Sequence, residues 1–143
     1  MIKEFKQLTE SIKSYEAYEV FKYCMYMPTK KKYDLKVDSW LYNENIKIYG
    51  YFEERHIKGI IVISLEGNDV AEILGISVGT KYRNCRIGSY MIKQIVGIYS
   101  LKSLMAETDD EAVEFYRKNG FEIREDIKIY NGEEIVRYVC ELS

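Results

Sequence analysis

The sequence predicts an α+β protein built on a central, mixed but mostly antiparallel sheet of about seven strands. Three observations carry that expectation. Between Ile46 and Val78, three apolar runs are separated only by short turns, the pattern of an antiparallel meander. Between Val70 and Phe121, strand-like and helix-like segments alternate twice. Near the end, Asn131-Gly132 sits between two strand-like runs and marks a hairpin.

Taken in order, Ile2 to Leu8 alternates and reads as a first strand, with Thr9 or Ser11 placed to cap a helix reaching about Met25. Pro28 ends that helix. Lys30 to Lys32 reads as a solvated loop, and Asp34 to Tyr42 as a short helix around Trp40. Ile46 to Phe52, Ile57 to Leu65 and Val70 to Val78 read as strands, with turns at Glu53-Glu54-Arg55 and Gly67-Asn68-Asp69. From Gly88 a helix presents Met91, Ile95 and Ile98 on one face, widened by Ile92 and Tyr99. Ser103 to Thr108 follows as a strand. Asp109 or Asp110 then caps a helix with Ala112, Phe115 and Tyr116 inward, and Gly120 stops it. Ile123 to Tyr130 and Ile135 to Leu142 form the closing hairpin.

The 143 residues fit one domain, 1–143, and 47% hydrophobic against 31% charged residues is a globular balance. A net charge of -2 argues against broad nucleic-acid binding, which needs a basic excess. Cys24, Cys85 and Cys140 are scattered and odd in number, so neither a disulfide framework nor a metal site is expected. The first residues lack the apolar core of a signal peptide, and no run approaches the ~20 residues that cross a bilayer. The expectation is a soluble cytoplasmic protein with no membrane or nucleic-acid partner. An exposed edge strand leaves room for a homodimer.

The chemistry concentrates in Ala71 to Ser89, AEILGISVGTKYRNCRIGS. An apolar strand runs into a basic turn that opens a helix. Free N–H groups converge at such a helix start, Gly88 permits close backbone approach, and Arg83 and Arg86 add charge, a combination suited to phosphate. The segment lacks the GxxxxGK[ST] and GxGxxG patterns of nucleotide-binding loops.

The segment resembles the acetyl-CoA-binding motif of the GNAT superfamily of N-acetyltransferases, Q/R-x-x-G-x-G/A at a helix start after a strand. Arg83 matches the first position and Gly88 the last, while Arg86 stands where the first glycine is usual. AETDDEAVEFYRKNGF is similar to the family's second hallmark, a strand, a turn and a helix ending in FYxxxGF, here Phe115, Tyr116, Gly120 and Phe121. The resemblance spans Ile46 to Leu142. It implies a GNAT-like fold with helices on both faces of the sheet, and acetyl transfer from acetyl-CoA to a primary amine by direct attack in a ternary complex.

Residue by residue, the resemblance implies that Arg83, Asn84, Cys85, Arg86, Ile87, Gly88 and Ser89 hold the pyrophosphate. The main chain of Ile76, Ser77 and Val78 pairs with the pantetheine arm, in an opening between the strands ending at Val78 and Thr108, with Phe115 beside the cofactor. Tyr116 protonates the leaving thiolate, and Glu72 serves as base, with a chain of waters as the alternative. A regular strand puts Glu72 on one face with Leu74, Ile76 and Val78, where a carboxylate has a raised pKa, unless Gly75 marks a bulge. The acceptor is a small-molecule or peptide amine; Tyr15, Tyr18, Tyr23, Tyr26 and Tyr33 line a candidate pocket, and Glu107 and Asp109 are candidate contacts for a cation. A non-catalytic acyl-CoA-binding module, motivated by Arg86, is the alternative.

Overall fold

A computed structural model of the chain describes residues 2–83 and 85–143. Seven strands form one sheet in the order β1-β2-β3-β4-β5-β7-β6. They are β1 (Lys3–Gln7), β2 (Ile46–Glu53), β3 (His56–Leu65), β4 (Val70–Val78), β5 (Ser103–Thr108), β6 (Glu122–Tyr130) and β7 (Glu133–Leu142). β4 and β5 pair parallel, joined by a helical crossover; the other neighbours pair antiparallel. Two-residue turns close both tight hairpins. Glu54 and Arg55 have φ of 51° and 72°, and Asn131 and Gly132 have φ of 50° and 81°. Two left-handed residues match the right-handed twist of the strands they join.

Four α-helices pack on the two faces: α1 (Tyr15–Phe21), α2 (Lys30–Tyr42), α3 (Ile87–Tyr99) and α4 (Val113–Lys118). Alternation along each strand feeds two separate cores. On one face Tyr49, Ile61, Ile63 and Ile73 meet Met91, Ile92 and Ile95 of α3 and Tyr116 of α4. On the other, Ile48, Ile60 and Val62 meet Val20 and Phe21 of α1 and Tyr33, Val37 and Trp40 of α2. Each such side chain, fully buried, contributes ~1.5–3 kcal/mol before the entropy of ordering it.

The N-terminal helical region departs most from the sequence reading. The cap is Ser14, whose hydroxyl accepts from the Ala17 amide at 3.1 Å, not Thr9 or Ser11. A 3-10 turn over Glu10–Lys13 precedes α1 and another over Lys22–Cys24 follows it. Lys30 to Lys32 is the first turn of α2 rather than a loop. Thr29 caps it by accepting from the Lys32 amide at 3.1 Å, and Lys30 meets Asp34 one turn on at 2.6 Å. Elsewhere the differences are small: Ile98 of α3 faces outward, and Gly120 stops α4 with φ of 86°.

Candidate functional site

The site begins with a break in strand regularity. β3 and β4 pair Val62 with Gly75 and Ile63 with Ile73, leaving Leu74 unmatched. This is a β-bulge, and it shifts the alternation by one residue. Ala71 and Ile73 before it, and Ile76 and Val78 after it, face the α3 core. Gly75 and Ser77 face α1: a Cβ on Gly75 would lie 2.6 Å from the Phe21 ring, and the Ser77 hydroxyl donates to the Val20 carbonyl at 2.6 Å. Glu72 therefore points to the α1 side, away from Ile76 and Val78. The expected shared face is corrected by the extra residue, and the Gly75 it turns toward α1 leaves room for the Phe21 ring.

The bulge also starts a split in the sheet. β4 pairs with β5 only from Val70 to Ile73, opposite Ser103 to Ala106. Beyond Ala106, β5 continues alongside β7, and β4 continues alongside β3. The Gly79 amide donates to the Lys58 carbonyl at 2.9 Å. Antiparallel alternation then makes Ile60–Ser77 the next hydrogen-bonded pair and turns the amides and carbonyls of Ile76 and Val78 outward, into the split. Ser77 differs from its two neighbours: its main chain faces β3.

Next to the split lies the start of α3. The Ile87, Gly88 and Ser89 amides, and that of Arg86, have no acceptor among the described residues; the first amide of the helical ladder is Tyr90, which donates to the Arg86 carbonyl. Arg86 caps the helix in a left-handed conformation, φ 63° and ψ 19°, with no side-chain cap. A left-handed residue is one that glycine fills most readily, which gives a physical reason for glycine at this position in the motif. Arg83 and Arg86 are both exposed, and Arg83 stacks over the Tyr23 ring at 5.3 Å. Gly88 is buried beneath Phe115, whose ring lies 2.8 Å from where a Cβ would stand. A methyl there would have to push the Phe115 ring aside. Cys85 is exposed in the same turn, and Asn84 lies outside the described residues.

Two titratable side chains flank the split. Glu72, half-buried, has no hydrogen-bond or ion-pair partner among the described residues. Burial, with Glu66 and Glu107 adding negative charge, raises its carboxyl above the ordinary carboxylate range. Tyr116 on α4 lies between the rings of Phe115 and Phe121, each centroid at 5.2 Å. Burial pushes its phenol well above the usual tyrosine value, so it remains protonated across the neutral range. The two approach the split from opposite faces of the sheet.

Several predicted residues are occupied elsewhere. Tyr33 is fully buried and donates to the Ile12 carbonyl at 2.6 Å, and Tyr18 is 7% exposed, so both belong to the core and leave the proposed pocket lining. Tyr15, Tyr23 and Tyr26 are exposed. Glu107 is held by Lys128 at 3.0 Å and Arg137 at 3.4 Å, which keep its carboxyl below the usual range. Asp109 accepts from the Glu111 and Ala112 amides at 3.1 Å, which holds the turn ahead of α4; the helix itself starts after Ala112 with no side-chain cap, so neither Asp109 nor Asp110 caps it as expected. Among the described residues no group of three or more His, Cys, Asp or Glu side chains is placed to hold a metal. Sequence reasoning missed Cys24, whose thiol donates to the outward Ile76 carbonyl at 2.7 Å. No motif signalled it, because only the fold brings the end of α1 to β4.

A sequence model of the acetyltransferase (GNAT) domain matches residues 40–123, more than half of the chain. The chain belongs to the GNAT acetyltransferase family. Acetyl-CoA-dependent acetyl transfer is typical of that family, and the protein is an acetyltransferase. Solved structures agree in fold. A GNAT family acetyltransferase from Elizabethkingia anophelis with acetyl-CoA bound is 19% identical, with a TM-score of 0.70 over 98% of this chain and 97% of that one. The ribosomal-protein-S18-alanine N-acetyltransferase from Escherichia coli is 14% identical, with a TM-score of 0.73 over 99% and 93%. A putative streptothricin acetyltransferase from Bacillus anthracis in complex with acetyl coenzyme A is 30% identical, with a TM-score of 0.62 over 73% of this chain and 66% of that one. A search of curated protein sequences gives no match. No described helix of this GNAT protein is long and apolar enough to cross a membrane.

Proposed function

We propose that this GNAT acetyltransferase binds acetyl-CoA across the start of α3 and the split between β4 and β5, and transfers the acetyl group to a primary amine of a small molecule or peptide. The observation that carries the reading is the run of amides from Arg86 to Ser89 with no acceptor among the described residues, next to a β4 edge whose polar groups at Ile76 and Val78 face outward. The amides, with Arg83 and Arg86, suit a diphosphate. The β4 edge suits the amides of a pantetheine arm, which would add to it as a short strand. Asn84, Cys85 and Phe115 complete the proposed contacts. Ser77 supports the edge through β3 and through its bond to Val20, rather than by pairing with the arm.

In the proposed reaction Glu72, directly or through water, takes a proton from the acceptor ammonium. The free amine attacks the thioester carbonyl carbon, and a C–N bond forms as the C–S bond breaks. The departing sulfur takes the Tyr116 phenol proton, and the proton shed by the new amide nitrogen returns to the Tyr116 phenolate, so the one proton released to solvent is the one Glu72 took. Most of the acceleration comes from holding amine and thioester together, with general acid–base help added. The raised carboxyl of Glu72 makes it a stronger base than an ordinary carboxylate, and the protonated phenol is ready to donate. An acyl-CoA donor and three free thiols fit a cytoplasmic setting. Release of free thiol from acetyl-CoA over a panel of amines tests the reading. Amine-dependent release supports it; tight acetyl-CoA binding with no release for any amine counts against it.

A further inference from the structure

Cys24 has no role in the reaction above, yet it occupies a decisive place. It ends the 3-10 turn after α1, and its thiol sits on the Ile76 carbonyl, one of the outward groups of the open β4 edge. The Ser77 hydroxyl adjoins the same sulfur, and Arg83 lies near enough to act on its charge. A second observation points to the same spot. Tyr116 is 5% exposed, yet its hydroxyl has no hydrogen-bond partner among the described residues. Every wholly enclosed side-chain oxygen described does have a partner, so this hydroxyl is not sealed off from the surface. It lies close enough to Cys24 for the two to feel each other's charge. The Cys24 sulfur and the Tyr116 hydroxyl are thus neighbours beside the outward β4 edge along which a pantetheine arm is proposed to lie. Cys24 and Cys85 are both exposed, but Cys85 lies at the phosphate end; Cys140 also acts on Tyr116, but it is buried on β7 opposite Ala106.

The geometry points to Cys24 as a covalent modification site that forms a mixed disulfide with coenzyme A, delivered as coenzyme A disulfide docked in the donor groove. The inference rests on the donor site proposed above. The Cys24 sulfur attacks the disulfide sulfur lying in the split. A new S–S bond joins Cys24 to one coenzyme A, the original S–S bond breaks, and the second coenzyme A leaves as a thiol carrying the Cys24 proton. One disulfide is consumed and one is formed, so no other oxidant takes part. The tethered arm then fills the split and stops acetyl transfer until a thiol reductant releases it. Burial pushes the Cys24 thiol above its ordinary range, so docking supplies the selectivity, and the exchange quickens as pH rises.

The test treats the full chain with coenzyme A disulfide, maps the adduct by non-reducing mass spectrometry, and measures coenzyme A binding separately by calorimetry. The expected result is one coenzyme A per chain on Cys24, formed at least ~10-fold faster than a glutathione adduct, with activity lost and then restored by dithiothreitol. Cys24→Ser should bind coenzyme A and take no adduct, while Cys85→Ser should still take it. Coenzyme A binding with no adduct, or with the adduct on Cys85 or Cys140, overturns the inference and leaves the donor site standing. Absence of coenzyme A binding overturns both.

Discussion

The stretch from β4 to α4 and the helical region before β2 are similar in size and unlike in construction. From β4 to α4 the proposed donor site is made of peptide groups: the outward edge at Ile76 and Val78 and the amides from Arg86 to Ser89, which have no acceptor among the described residues. Before β2 the groups that matter are side chains, such as Tyr33 reaching Ile12, Phe21 filling the space over Gly75, and Cys24 reaching Ile76. Main-chain sites leave a trace in sequence, because they demand particular turns and glycines at particular positions. Side-chain sites do not, because a tyrosine that packs and a tyrosine that binds look the same before folding.

The comparison is broken most sharply at Tyr116. Its hydroxyl bonds nothing described within the protein, so Tyr116→Phe should leave the melting temperature and acetyl-CoA affinity nearly unchanged while lowering kcat by ~100-fold or more. A variant that loses affinity in proportion to rate would make Tyr116 a packing residue. Glu72→Gln should lower kcat/KM by ~10–100-fold near neutrality and abolish the acidic limb of its pH profile. The sign follows from the raised carboxyl: the base is active above its pKa and lost as pH falls through it. The same raised value means that the folded state holds the proton more tightly than the unfolded chain. Stability therefore declines as pH rises through that window, and the Gln variant should melt higher at pH 7 but not at pH 4.

Smaller effects sharpen the picture. Gly88→Ala sets a methyl against the Phe115 ring and should weaken acetyl-CoA binding by ~10-fold, with little change in helix content. Arg86→Gly should relieve the left-handed backbone, adding up to ~1 kcal/mol of stability, and raise the KM for acetyl-CoA a few-fold through the lost guanidinium. Denaturant melts and donor titrations separate the two effects. Tyr33→Phe should cost ~1 kcal/mol or somewhat more in stability and leave KM for the acceptor unchanged, as befits a core residue.

Much of the fold was legible. β4 and β5 have the bounds their apolar runs predicted, and Asn131-Gly132 closes the last hairpin. The bulge at Leu74 was not fixed in advance, because the partner that Gly75 meets there, Phe21, is far away in sequence; with it went the side of the sheet that Glu72 faces. Lys30 to Lys32 looked like a solvated loop because a charge run has no apolar period, and the Thr29 cap and the Lys30–Asp34 pair that make it helical are local bonds of modest strength. Of the five tyrosines offered as a pocket, burial removes Tyr18 and Tyr33, a distinction only packing could draw.

The central claim is that the peptide groups opening α3 hold a diphosphate. Amide chemical shifts followed during titration with coenzyme A test it directly. The account predicts saturable binding, with the largest shifts at Arg86 to Ser89 and smaller ones at Ile76 and Val78. Saturable binding that leaves those amides unmoved, or no binding at all, would contradict it.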